Sequence, residues 1–561
     1  MKLFKKLLSY IIAFTMVLSL ATLLGGNVHA ADTAQPQHVI TINNAPSGRK
    51  YKAYQIFKGD YSKGTLSNIE WGDNVDSTTL LLKLKGDTDN FSDITDKSSA
   101  KEVAEKMGSG KDTAQAKAFA KYAAASKTGD GFESTENTKT KTTTITVTGS
   151  GYYLVEDTTA ESDQSSKNES YTRYIVKVVG EATQINLKSD VPTVSKTVQD
   201  DDTNEKTASP AQDSEKYGKT ADHSIGKDFN YKLVATIPNT NTSVNDYQGA
   251  YKLVFHDTMS KGLTYKGVTS VEVSDGDGDP VSVTDYTVTK EDDTTLENPT
   301  KASESGLTWK VTVANLKAAK TATNGLDLTK ALTVTVIYKA ALNEDAKIAT
   351  PADRQHNDNK VQLEYSNNPN AEGEGTPTGK TKEDTAYVFT YELDNTKVDS
   401  VDQKTKLDGA EFELKKGNTA LTFTFDSVKG AYRVDPSSNA TTLVSGHGNT
   451  NTNNPTGIFN MIGLDAGVYT LHETKAPDGY NKMEDVTITI EAKHSLGTTP
   501  DVELTFKKNK DDNHGNAFTI GNAKGSILPS TGGMGTTLLY VAGGILVACA
   551  AAYVVLNKKR A

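Results

Sequence analysis

The side chains that most often carry chemistry are scarce or poorly spaced in this 561-residue sequence. Its one cysteine, Cys549, lies inside a C-terminal apolar run. The rest of the chain therefore has no disulfide, thiolate metal site or cysteine nucleophile to offer. None of the nine histidines falls in a His-x-x-x-His spacing, so neither a zinc site nor a histidine-based triad is read. Asp275-x-Asp277-x-Asp279 supplies the first three positions of a calcium loop. Pro280 stands where that loop needs Gly, and no Glu follows at the twelfth position, so the stretch reads as an acidic hairpin tip. No phosphate-binding Gly loop occurs. Neither metal nor cofactor is expected.

The C-terminus carries a more specific pattern. Leu528-Pro529-Ser530-Thr531-Gly532 is followed by a Gly-rich spacer, an apolar run over 538–556 and then Lys558-Lys559-Arg560. The run is about the length a helix needs to cross roughly 30 Å of hydrocarbon. The basic cluster would hold its C-terminus in the cytoplasm. The three parts together (527–561) resemble the cell-wall sorting signal of Gram-positive surface proteins. That resemblance implies a sortase that cuts between Thr531 and Gly532 and joins the Thr531 carboxyl to an amine. At the other end, Lys2, Lys5 and Lys6, an apolar stretch over 7–24 and Val28-His29-Ala30 read as a signal peptide covering 1–30.

A second motif lies upstream of the first. Leu471-His472-Glu473-Thr474-Lys475-Ala476-Pro477-Asp478-Gly479-Tyr480 resembles the "E box" of Gram-positive pilins and of B-type collagen-adhesin modules. Asn395-Thr396-Lys397-Val398-Asp399 with Leu407-Asp408-Gly409-Ala410-Glu411-Phe412-Glu413-Leu414 resembles their opening strands, and Phe518-Thr519-Ile520-Gly521-Asn522 their last. In that family a Lys and an Asn join through a spontaneous isopeptide bond promoted by the Glu. The resemblance assigns these roles to Lys397, Asn522 and Glu473. An ammonium has no lone pair, so the lysine must be neutral, and burial among apolar groups lowers its pKa. Burial equally disfavours charge on a carboxyl, which can then hydrogen-bond the Asn carboxamide and polarise it. The amine attacks the amide carbon and ammonia leaves.

The middle of the chain resembles an A-type module of the same proteins. Val194-Ser195-Lys196-Thr197-Val198 matches its first strand. Asp257 opens an Asp-x-x-x-x-Gly-Leu-x-Tyr pattern, and Asn359-Lys360-Val361-Gln362-Leu363-Glu364-Tyr365 matches the closing strand. The resemblance gives Lys196 and Asn359 as the bonded pair and Asp257 as the acid. Asn357 is a rival for the Asn, because two positions of equal parity point the same way in a strand. The first segment keeps Tyr-x-Leu-x-Glu around Glu156, but Val39-Ile40-Thr41-Ile42-Asn43 has no lysine where Lys397 stands. A bond there is not expected, with Lys52 and Asn186 left as the one pairing to consider.

Polymerising pilins also need a lysine for the sortase to use, and no Tyr-Pro-Lys motif occurs here. Lys188, in a strand running into Asp190-Val191-Pro192, is the first candidate and Lys177 the second.

The elements that must position these groups read as β. Thr, Asn, Asp, Lys and Gly are prominent, apolar residues make up 36% and the net charge is −10. That suits extracellular modules with solvated outer faces and gives no basic field for nucleic acid. The length calls for three or four domains. The first, 31–190, shows strands at His38–Ile42, Tyr51–Phe57, Thr142–Thr148, Tyr152–Glu156 and Tyr171–Val179, with one or two helices over 98–126 broken at Gly108-Ser109-Gly110. The second, 191–379, has strands Asn230–Ile237, Tyr251–Phe255, Leu307–Val313, Ala331–Tyr338 and Asn359–Tyr365, then a loop or linker at Asn367–Gly379. The third, 380–526, opens on Tyr387–Leu393 and continues through Ala410–Leu414, Leu421–Phe425, Val468–Leu471, Val486–Ile490 and Val502–Phe506. The fold class is all-β, an elongated tandem array of immunoglobulin-like β-sandwich domains, the first with a helical insertion.

The resemblance implies a major (backbone) pilin: no conventional enzyme, but a secreted shaft subunit. Its expected partners are a class C and then a housekeeping sortase, identical subunits, minor or tip pilins, peptidoglycan and host matrix proteins. A monomeric wall-anchored adhesin is the alternative.

Overall fold

The strand Asp228–Ile237 sets the pattern of the whole chain. Phe229, Tyr231, Leu233, Ala235 and Ile237 turn inward while the residues between them face outward. Strict period-two alternation of this kind buries one face of a pleated strand and leaves the other solvated. A computed structural model describes residues 36–558 apart from 44, 46–47, 108–112, 138–141, 160–174, 181–182, 187–190, 202–215, 240–241, 297–305, 319–325, 452, 497–499, 510, 514 and 526–534. The stretch 1–30 expected to be a signal peptide, Leu528 to Gly532 and Lys188 all lie outside the described residues.

The chain divides into two compact units, 1–155 with 174–186, and 156–173 with 187–561. The first is a sheet ordered Ile175–Val179, Gly151–Asp157, Tyr51–Ser62, Phe132–Asn137, Thr142–Thr148, Gln37–Asn43 and Thr183–Asn186, with Thr65–Trp71 beside Tyr51–Ser62. Helices cover part of it. Ala100–Lys106 and Ala114–Ala124 lie where two helices are expected, on either side of the Gly-Ser-Gly break. Ser77–Gly86 is an addition: Asp76 caps it by accepting from the amides of Thr78 and Thr79, and Leu80, Leu81 and Leu84 enter the core. That core joins these leucines to Tyr54, Ile56, Phe57 and Phe119.

The second unit holds two β-sandwiches with separate cores. In the middle one, one sheet runs Tyr217–Gly218, Thr193–Gln199, Asp228–Ile237, Leu332–Leu342, Leu263–Ser274, Val281–Ser282. The facing sheet runs Thr220–Asp222, Asp384–Phe389, Asn357–Ser366, Leu253–Met259, Thr308–Val313, Thr287–Lys290. In the C-terminal one, the first sheet is Phe423–Asp426, Ala431–Val434, Met461–Leu464, Tyr391–Asp399, Ala517–Asn522. The second is Thr419–Ala420, Glu411–Lys416, Gly467–Lys475, Val486–Leu496, Pro500–Lys508, Asp511–Asn513.

One placement differs from the sequence reading, and a second settles an open one as a loop. The expected strand 387–393 breaks at Thr390, and the part before it joins a sheet of the middle sandwich, with Ala386 and Val388 in the middle core and Phe389 in the C-terminal one. The stretch 367–379 folds back on the middle domain: the amides of Gln248, Gly249 and Ala250 donate to the carbonyls of Pro369, Ala371 and Gly373. Its turn residues were legible, whereas these long-range backbone bonds leave no local signature. The Asp275–Asp279 hairpin tip is tied down internally, since Asp275 accepts from the amides of Asp277 and Asp327 and Asp277 pairs with Lys330. At the chain's end, Gly535–Lys558 is one helix, long and apolar enough over 539–556 to cross a membrane.

Candidate functional site

In the second unit, each residue assigned a part in an internal Lys–Asn bond occupies an inward slot of an alternating strand. In Thr193–Gln199 the buried positions are Lys196 and Val198. In Leu253–Met259 they include Phe255, Asp257 and Met259, and in Asn357–Ser366 they include Asn357, Asn359, Val361 and Leu363. The C-terminal sandwich repeats the theme with Asn395 and Lys397, with Leu471 and Glu473, and with Ile520 and Asn522. Alternation thus forces groups that prefer water into a dry core, where an unpaired charge is costly.

In the middle sandwich, Lys196 and Asn359 come from opposite sheets. Lys196, Asp257 and Asn359 are fully buried. The Lys196 amine contacts Asp257 Oδ2 and lies 2.8 Å from the Tyr338 hydroxyl. That hydroxyl is 2.9 Å from Asp257 Oδ2, and Asn359 Nδ2 donates to it at 2.6 Å. The rings of Tyr231 and Tyr338 stack with centroids 5.3 Å apart, and the amine sits 4.9 and 5.2 Å from them. Burial lowers the Lys196 pKa to about 8, against the opposing pull of Asp257. Burial likewise raises Asp257, so both partners are driven toward their neutral forms. The lysine backbone is pinned as well: its amide donates to Asp384 Oδ2 at 2.6 Å, and Lys219 bridges Asp384 to the Lys196 carbonyl.

The rival Asn357 is committed elsewhere. Its Nδ2 donates to the carbonyls of Lys347 and Val388, and its Oδ1 accepts from the Lys347 amide. A Cβ on Gly262 would come within 2.2 Å of that oxygen, so the close approach requires glycine.

In the C-terminal sandwich, Lys397 and Asn522 lie on neighbouring parallel strands of one sheet, and Glu473 reaches them from the other. Glu473 Oε1 is 3.2 Å from the lysine nitrogen. Its Oε2 accepts from Asn522 Nδ2 at 2.9 Å and from the Met483 amide at 2.7 Å. Asn522 Nδ2 also donates to the Asn481 carbonyl at 2.7 Å. The Phe412 ring lies 5.2 Å from the lysine nitrogen, and burial lowers the Lys397 pKa to about 8.

The two sites share a pattern: a buried lysine, a buried acid in contact with it, and a carboxamide that the acid reaches directly or through one hydroxyl. Such a pattern can support attack of an uncharged amine on an amide carbon. Sequence reasoning missed Tyr338, Met483 and Asn481. Tyr338 carries a faint signal, an aromatic at an inward position of a predicted strand, whereas the other two lie in a loop without one.

In the first unit the groups are arranged otherwise. Lys52 is a quarter exposed and pairs with Glu133 at 3.1 Å. Asn43 lies opposite Asn186 in the parallel pairing of Gln37–Asn43 with Thr183–Asn186. Lys177 is placed opposite Tyr153, on the strand Ile175–Val179 at the end of the sheet order. Glu156, just past the boundary of this unit at Val155, is half-buried.

Residues 392–508 match the SpaA prealbumin-like fold domain, and residues 225–369 match the Cna-B-like domain of Gram-positive pilin backbone subunit 2. The latter description differs from the A-type resemblance read from the sequence. The chain is 27% identical to the trypsin-resistant surface T6 protein of Streptococcus pyogenes serotype M6, over 52% of this chain and 44% of the relative. It is 26% identical to the type 1 fimbrial subunit of Actinomyces viscosus, over 60% of this chain and 62% of the relative. The chain thus spans about half of the one and three-fifths of the other. The solved T6 backbone pilin of S. pyogenes is 17% identical, with 87% of this chain and 99% of that one covered and a TM-score of 0.42.

Proposed function

We propose that this chain, which matches the Gram-positive pilin backbone subunit 2 domain over 225–369 and the SpaA prealbumin-like fold domain over 392–508, is the shaft subunit of a covalent surface pilus. A sortase joins Thr531 of one subunit to a lysine of the next, Lys188 first among the candidates and Lys177 second. The terminal helix 535–558 holds the precursor in the membrane until Gly532 and all that follows are removed. The finished fibre is attached to peptidoglycan. Within each subunit, Lys196 bonds to Asn359 and Lys397 to Asn522, with Asp257 and Glu473 as the promoting acids. The protein is a sortase substrate whose own chemistry is internal and single-turnover.

The observation that carries this reading is the duplicated buried arrangement of lysine, acid and asparagine in the two sandwiches. One such trio could be a costly accident of packing. Two, each with its lysine pushed toward neutrality, fit groups kept to react with each other. The intact mass of the secreted ectodomain tests the internal bonds: it should fall short of the sequence mass by one ammonia per bond, and a full sequence mass would refute them. A blot of wall extracts tests polymerisation. A high-mass ladder lost in Lys188→Ala or Lys177→Ala is expected, whereas a single band would indicate a monomeric adhesin.

A further inference from the structure

The acid of the middle site is one methylene shorter than the acid of the C-terminal site, and the structure shows what spans the difference. Glu473 touches both the amine of Lys397 and Nδ2 of Asn522. Asp257 touches Lys196, but among the described residues no hydrogen bond joins it to Asn359. The Tyr338 hydroxyl stands between them, 2.8 Å from Lys196 Nζ, 2.9 Å from Asp257 Oδ2 and 2.6 Å from Asn359 Nδ2. It therefore contacts all three participants in a site closed to solvent.

We propose that Tyr338 is a catalytic residue of the middle site, relaying a proton from Asp257 to the nitrogen that leaves Asn359. The inference rests on the reading that Lys196 and Asn359 become bonded. While Asn359 is an amide, its nitrogen lone pair is delocalised and Nδ2 can only donate to the hydroxyl. Attack by the Lys196 lone pair forms the Nζ–Cγ bond and moves the carbonyl π pair onto Oδ1. Cγ becomes tetrahedral, Nδ2 regains a lone pair, and the same contact can reverse. Tyr338 then gives its proton to Nδ2 and takes one from the Asp257 carboxyl. The Cγ–Nδ2 bond breaks with its pair on nitrogen, ammonia departs, and the oxyanion pair restores the carbonyl. The surplus proton on Nζ returns to the Asp257 carboxylate, so acid and phenol end as they began.

Tyr338→Phe keeps the ring that packs on Tyr231 and Trp309 and removes only the relay. General acid transfer contributes about 10²–10⁴-fold to rate. Peptide mapping of the freshly folded full ectodomain should therefore show Lys196–Asn359 linkage forming about a hundredfold slower or more, while Lys397–Asn522 linkage is unchanged. Adding Asp257→Glu to Tyr338→Phe should restore linkage, because the longer acid reaches the carboxamide as Glu473 does. Complete linkage in Tyr338→Phe at the wild-type rate would overturn the relay. So would a defect that Asp257→Glu leaves untouched, since that is the mark of a packing role. Absence of the Lys196–Asn359 peptide from the wild-type protein is a separate result and would overturn the underlying reading instead.

Discussion

Lys397 lies directly across from Ile520 in the parallel pairing of its strand with the last one, and Asn522 stands two positions further on, opposite Asp399. The offset keeps lysine and asparagine on one face of the sheet and leaves the space between them to Glu473. In the middle sandwich the corresponding pair reaches across the core from sheet to sheet. The same chemistry is thus read from two geometries, one joining neighbours in a sheet and one joining its two layers.

Removing the acid should remove the bond. Glu473→Ala is expected to raise the ectodomain mass, after correction for the substitution, by one ammonia, with the middle site unaffected. Closing a loop of about a hundred residues stabilises by about 4 to 5 kcal/mol in the chain-entropy model. Thermal unfolding of the variant should reveal a C-terminal domain weakened by about that amount, and an unchanged mass would count against the role given to Glu473.

Asn357 and Asn359 can be separated by the same measurement. Asn357→Ala should leave the ammonia loss intact but cost about 1 to 3 kcal/mol, because it strands the backbone groups of Lys347 and Val388. Asn359→Ala should abolish the middle bond. The reverse outcome would make Asn357 the electrophile.

The contribution of Asp465 to the stability of the second unit should fall as pH rises from about 4 through about 7. Asp465, buried where the middle and C-terminal sandwiches meet, is pushed up to about 7 by burial and by Asp222, against Lys416, His223 and Lys227. An unfolded Asp titrates near 4, so the folded state holds this proton more tightly. The stabilisation is fully present below about pH 4 and is lost as pH rises through about 7. Asp465→Asn should raise the unfolding free energy at pH 8 by on the order of 2 kcal/mol and make little difference near pH 4. Parallel curves for the two proteins would contradict the assignment.

Lys52 should be a bystander. It is partly exposed and paired with Glu133, so Lys52→Ala is expected to change the mass by the substitution alone. An added ammonia in the variant would mean that the first unit carries a bond too.

The β-architecture was legible because alternation is local: Ala331–Tyr338 and Leu332–Leu342, or Val502–Phe506 and Pro500–Lys508, differ only at their ends. Lys196, Lys397 and Glu473 were legible through motif and parity together. The allocation of 384–389 to a sheet of the middle sandwich was not, since sheet membership depends on pairing with Asn357–Ser366 some thirty residues earlier. Nor was helix Ser77–Gly86, whose Asp76 cap and three leucines were overlooked beside the alanine-rich stretch that follows. Tyr338 escaped because a hydroxyl at the end of an apolar strand acquires meaning only once the opposite sheet is in place.

The parallel pairing of Tyr391–Asp399 with Ala517–Asn522 also sets an order of events. A strand at the start of the C-terminal sandwich waits for one at its end, so this sheet cannot be completed until nearly the whole chain has been made available for folding. A subunit that stalls or is clipped before Ala517 lacks both the neighbouring strand and the carboxamide that Lys397 faces. Covalent closure would then act as a receipt for full-length delivery, issued just before the segment that carries Thr531.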